Sequence, residues 1–208
     1  MSESVSPKGQ NFDFAEAREL AWDNLQLKGQ EHTALCALAR VDESVHGVVV
    51  SFFGEEYAVN FRDKMVVGPT GCEVNPFFAT LILHYLVGAP SEPLGGELIN
   101  FKQIRGGDIY FPAFNRNSLE PIRAAFDRDQ NALAGSAENL GGEKLNLGDL
   151  SYRIPVFPKL PLTVVLYEGE GCMIPSAANI LFDSTAPAIM DREDLAALGA
   201  LLAGKLSR

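Results

Sequence analysis

His84 stands near the end of an almost wholly apolar run, Asn75 to Gly88, and it offers the widest chemistry in the chain. A neutral imidazole on a buried helix can ligate iron or cobalt through one nitrogen while a partner holds the other. Thr80, four residues earlier, shares its helical face and is the partner the spacing offers; Tyr85 is the third polar residue of the run. The same histidine also reads as a core residue satisfied by a backbone carbonyl, the usual state of a buried polar group. A second set is Glu168 and Glu170 in the turn-like EGEG, with Asp183 further on, which could supply a general acid and base. The glycines between them favour a turn with solvated carboxylates. A third set is aromatic: Phe101, Tyr110, Phe111, Phe114, Tyr152 and Phe157 could line a pocket for a large flat ligand, with Lys102, Arg105 and Arg116 for its carboxylates. Core packing is the alternative for most of these rings.

Other chemistries lack their signatures. Cys36, Cys72 and Cys172 are scattered and without C-x-x-C spacing, so neither a zinc nor an iron–sulfur site is local in sequence. No histidine is assigned to Cys36 or Cys172 as a base, and His32 and His46 read as surface residues. There is no P-loop, G-x-G-x-x-G, G-x-S-x-G or H-E-x-x-H. A formal charge of −10 argues against nucleic acid and anionic lipid as partners, since both recruit a surplus of Lys and Arg. No apolar run reaches a membrane span and no leader is recognised at the start, so the expectation is a cytoplasmic protein.

These residues need elements to hold them. Asn75 is a helix cap and Pro76 a first helical residue, while Gly88 is expected to close the far end in a left-handed conformation. Apolar residues cover every side of the helix between them, which places it inside a domain. Before it, residues 1–12 read as a flexible tail. Asp13 with Glu16 opens an amphipathic helix to about Leu27, and a short helical piece follows at Thr33–Ala39. Val48–Phe53 and Tyr57–Phe61 form a hairpin about a turn at Gly54–Glu56, and Met65–Val67 a third short strand. Glu97–Phe114 is expected to be a loop around Gly106 and Gly107, and Ser118 to cap a helix through Phe126, with a second helical stripe from Leu133 to Leu140. Ser151–Val156 and Leu162–Tyr167 are strands, Ala178–Phe182 is a short apolar segment, and Asp191 caps a last helix. Strands in neighbouring pairs predict an α+β fold, a mainly antiparallel sheet packed with helices around a buried central helix, with 13–208 as one domain.

LILHYL at Leu81–Leu86, GGDIYF at Gly106–Phe111, Gly141 with Gly142, PKLPLTVVLY at Pro158–Tyr167 and LFD at Leu181–Asp183 resemble an uncharacterised domain family of anaerobic bacteria and archaea. The likeness runs from about Phe52 to the C-terminus on apolar, structural motifs. Some relatives are joined to a cysteine-rich iron–sulfur domain similar to that of corrinoid proteins, which implies anaerobic redox or corrinoid metabolism as a setting. This chain lacks that cysteine cluster, and has EGEGC where the family has a more acidic run. The resemblance implies a binding protein for a tetrapyrrole, preferably a corrinoid (cobalamin type) and otherwise haem. His84 would be the metal contact, Thr80, Tyr85, Lys102, Arg105 and Tyr110 further ligand contacts, and a corrinoid or iron–sulfur protein a partner. Two readings stand beside it: a small enzyme using Glu168, Glu170 or Asp183, and an acidic interaction module for a redox partner.

Overall fold

A computed structural model describes residues 14–170 and 174–207; the expected tail, the Asp13 cap and Cys172 lie outside the described residues. Helices α1 (Phe14–Lys28) and α2 (Gln30–Ala37) part at Gly29, whose φ of +76° only glycine adopts at no cost. Strands β1 (Arg40–Asp42), β2 (Gly47–Phe52), β3 (Glu55–Asn60) and β4 (Met65–Val67) pair in chain order as an antiparallel sheet. The β2–β3 turn is Phe53–Gly54, both at positive φ, the hand that matches the twist of the flanking strands. It lies ahead of the Gly54–Glu56 turn read from sequence because tertiary contacts fix Phe53. Its ring is buried against Phe52 and its N–H donates to the Val156 carbonyl at 2.8 Å, tying this sheet to the second one.

Helix α3 (Pro76–Gly88) is the buried centre. The Asn75 side chain accepts from the Phe78 N–H at 3.0 Å, and Ala79 to Leu83, Tyr85 and Leu86 are buried on all sides, with Trp22 and Leu25 of α1 in the same core. Its far end departs from expectation. Gly88 is helical, and glycine is needed because a Cβ there would lie 1.8 Å from the Ile189 carbonyl oxygen. The last carbonyls are capped by a lysine: Lys28 Nζ donates to Leu86, Val87 and Ala89 at 3.0 to 3.1 Å. Lys159 does the same for Pro90, Ser91 and Glu92 just beyond. Cations suit the negative end of a helix, although burial pulls the Lys28 ammonium below its ordinary pKa.

Beyond α3 come β5 (Leu98–Asn100), a 3₁₀ turn at Phe101–Gln103, α4 (Gly107–Phe114), a π turn at Asn115–Leu119, α5 (Glu120–Arg128) and α6 (Gln130–Asn139). Then follow β6 (Glu143–Leu145), β7 (Leu150–Phe157), β8 (Leu160–Tyr167), β9 (Ala177–Asp183), α7 (Ala186–Ile189) and α8 (Arg192–Leu206). The second sheet is antiparallel in the order β5-β9-β8-β7-β6. The fold is α+β, with two sheets among the described residues and not one.

Three local readings are corrected. Glu97–Phe114 is not a loop: Gly106, at φ +72°, and Gly107, pressed against the Phe101 carbonyl, start α4. Ser118 caps nothing, because helix continues from Gly107 through the π turn to Arg128 and the serine hydroxyl is buried without a partner among the described residues. Ala178–Phe182 is the heart of a full strand, β9. The two sheets meet in an aromatic stack in which Phe157 lies 4.2 Å from Tyr85 and 4.5 Å from Phe52, centroid to centroid. Phe157→Ala is therefore expected to cost about 3–5 kcal/mol in urea denaturation. A cost below about 1 kcal/mol would mean that the stack does not join the sheets.

Candidate functional site

The start of α8 organises the polar residues around α3. Asp191 caps the helix by accepting from the Asp194 N–H at 2.9 Å. This leaves the Asp194 side chain free to turn toward α3, where it accepts from His84 Nδ1 at 2.6 Å. The pair is neither sealed nor open, with side chains 24% and 14% exposed. The Asp194 hydrogen bond raises the His84 pKa above 6.5, against an opposing effect of burial; Asp191 and the Ala17 carbonyl of α1 add to the rise. Burial also raises the Asp194 carboxyl, with His84 pulling the other way.

Both groups thus hold protons more tightly in the folded state than in the unfolded chain. The share that Asp194 gives is fully present only below pH 3.8 and lost as pH rises through its raised value, whereas the share that His84 gives is fully present below pH 6.5 and lost as pH rises through the raised value for His84. Urea denaturation at several pH values should show wild type losing stability above that point and Asp194→Asn losing less. Equal slopes for the two proteins would show that the pair is not the titrating unit.

Of the polar residues on α3, only His84 reaches this place. The Thr80 hydroxyl donates to the Pro76 carbonyl at 2.8 Å and does not hold His84. Tyr85 is fully buried; its hydroxyl donates to the Ala37 carbonyl and accepts from the Lys159 N–H. Burial raises its pKa. Arg105 and Tyr110 do come near the start of α8, through Arg192. The Arg192 guanidinium donates to the Arg105 carbonyl at 3.5 Å and lies 4.8 Å from the centre of the Tyr110 ring. Lys102 covers the Phe111 ring at 3.9 Å. The first turn of α8 therefore carries Asp194 toward His84 and Arg192 toward Arg105 and Tyr110. Phe101, Phe114, Tyr152 and Phe157 are core residues, while Tyr110 is 39% exposed.

The three carboxylates do not form one site. Tyr167, next to Glu168, pairs with Ala177, whereas Phe182, next to Asp183, pairs with Leu162, so Asp183 and Glu168 sit at opposite ends of β8–β9, roughly 20 Å apart along the strands. Asp183 is also occupied. It accepts from the Gly95, Gly96 and Thr185 N–H groups at 3.0, 2.7 and 3.0 Å and from the Thr185 hydroxyl at 2.6 Å. Burial pushes its carboxyl up, and these hydrogen bonds outweigh that and hold it below the usual value. Glu168 and Glu170 are exposed, and Glu168 accepts from the Gln130 amide.

Sequence reading missed Asp194 and Arg192, which nothing local ties to His84. His32 is exposed, as the surface reading expects, but its contact with Cys36, Nε2 to Sγ at 3.5 Å, went unread although the spacing of four on α2 was a readable signal. Among the described residues no three His, Cys, Asp or Glu side chains converge as a metal site, and no helix is long and apolar enough to cross a membrane. A search of the curated proteins and one of the solved structures gave no match. The family model described as domain of unknown function (DUF3786) matches residues 31–205, most of the chain, and the protein belongs to that family.

Proposed function

We propose that this protein binds a tetrapyrrole, a corrinoid in first place and haem in second, in the cytoplasm of an anaerobic metabolism, with His84 as the axial contact to the metal. The observation that carries the reading is the His84–Asp194 pair. Metal-ligating imidazoles regularly give their second ring nitrogen to a carboxylate, which fixes the tautomer and strengthens the donor. Here Nδ1 is committed to Asp194 in a partly exposed position, so Nε2 would be the ligating atom and would give up the Ala17 carbonyl to ligate. Tyr110 of α4 and Arg192 of α8, with Lys102 and Arg105 from the segment before α4, would meet the periphery of the ligand; Thr80 and Tyr85 are taken up by other bonds and drop out of the contact set. A bound corrinoid would supply a cobalt centre that changes oxidation state. A corrinoid or iron–sulfur protein, as the sequence resemblance implies, would be the partner.

His84 must release a proton to ligate. The raised pKa therefore makes binding pH-dependent, with affinity rising about tenfold per pH unit below that pKa and level above it. Titration of the purified protein with cobalamin and then haem, followed by ultraviolet–visible absorbance under reducing anaerobic conditions, tests the proposal. A saturable spectral shift at micromolar ligand, stronger at pH 8 than at pH 6, is expected. A flat titration of folded protein with both ligands would overturn it.

A further inference from the structure

Strand β5 is much shorter than the strand it pairs with. Its three residues face only Leu181 to Asp183 of β9. The reason is local: Asn100 begins a capping box with Gln103, which turns the chain into the 3₁₀ turn and away from the sheet. Residues Ala177 to Ile180 are paired with β8 on one side. On the side that β5 leaves, no backbone hydrogen bond reaches them among the described residues. Ala177 is exposed, and Ala178 and Asn179 are half-buried. Free donors and acceptors in a strand edge are a template for another strand.

A cleft of about 280 Å³ opens at this place, lined by Asn115, Leu119, Glu120, Arg123, Ser176 and the first residues of β9. Its far wall is the π turn, a local irregularity that proteins often keep at functional positions. Arg123 gives one guanidinium nitrogen to Asp127 at 2.9 Å, and the rest of its donor fork has no hydrogen-bond partner among the described residues. Glu120 accepts from the Asn115 amide at 2.8 Å. The floor thus offers unpaired main chain, and one rim offers a guanidinium in a protein of net charge −10.

We infer that this cleft receives a short extended peptide, which continues the line of β5 along Ala177 to Asn179 and sets a carboxylate on Arg123. Main-chain pairing supplies affinity in strand addition, and the flanking side chains supply selectivity. This site is separate from His84 and does not depend on the tetrapyrrole reading.

The test is selection of binders from a random peptide display library against the full chain, followed by affinity measurement on variants. Enriched peptides should carry an acidic residue or use their free carboxyl terminus. They should bind Arg123→Glu at least about tenfold more weakly, bind His84→Ala as they bind wild type, and slow amide exchange within residues 177–179. Circular dichroism of the Arg123→Glu protein checks that it remains folded; Arg123→Lys, which keeps the charge, should restore part of the affinity. No enrichment, or enriched peptides that bind Arg123→Glu normally and leave the β9 amides unprotected, would overturn the inference.

Discussion

Asp183→Ala is expected to be among the most damaging single changes in the chain, with a loss of about 3–5 kcal/mol in urea denaturation. The carboxylate is 4% exposed and accepts four hydrogen bonds from three residues. Without it, the Gly95 and Gly96 amides lose a charged acceptor, and a hydrogen bond to a charged group is worth about 1.5–3 kcal/mol. The damage spreads because the same carboxylate anchors the loop before β5 to the end of β9. Since hydrogen bonding holds its pKa below 3.8, the stability it gives is present above that pH and lost as pH falls through the folded value. Asp183→Ala should therefore also flatten the acid limb of the stability profile. A cost under about 1 kcal/mol, with the acid limb unchanged, would show that the loop is held by other contacts.

Asp183 also shows where sequence reading stops. A carboxylate after an apolar strand could be catalytic or structural, and only the positions of Gly95, Gly96 and Thr185 decide the matter. The last two partners lie on opposite sides of it in the chain, 87 and 2 residues away. Local signals were read well: the Asn75 cap, the encircling apolar residues of α3, the Asp191 cap and the β7–β8 pair all follow from neighbours within a few residues. What escaped was long-range. The cap at the far end of α3 comes from Lys28, 58 residues before Leu86, and the partner of His84 is 110 residues further on. Phe53 at positive φ contradicts its own propensity and is held by the second sheet. The helix from Gly107 to Arg128 contains Pro112 and Pro121, and the π turn between them accommodates the helix instead of ending it.

His84→Ala is expected to weaken cobalamin binding by at least about a hundredfold, since it removes the proposed ligand itself, while Asp194→Asn should cost about 10–100-fold. The two variants separate the roles. Asp194→Asn keeps the ligating nitrogen and loses its orientation, so the bound spectrum should survive at higher ligand concentration; His84→Ala should abolish it. The fold should tolerate both, at about 1–3 kcal/mol, because the pair lies at the margin of the core. Equal cobalamin affinity for wild type and His84→Ala would leave His84 as a residue that joins α3 to α8 and nothing more.

The most direct test of the central claim is electron paramagnetic resonance of cob(II)inamide, a corrinoid without its own nitrogenous base, bound to the protein under anaerobic conditions. An axial imidazole adds splitting from one nitrogen nucleus to the cobalt lines. The spectrum should show it for wild type, change its pattern when the protein is labelled with nitrogen-15, and lose it in His84→Ala. Cobinamide that binds without nitrogen splitting, or with splitting that His84→Ala retains, would contradict the assignment of His84 as the metal contact.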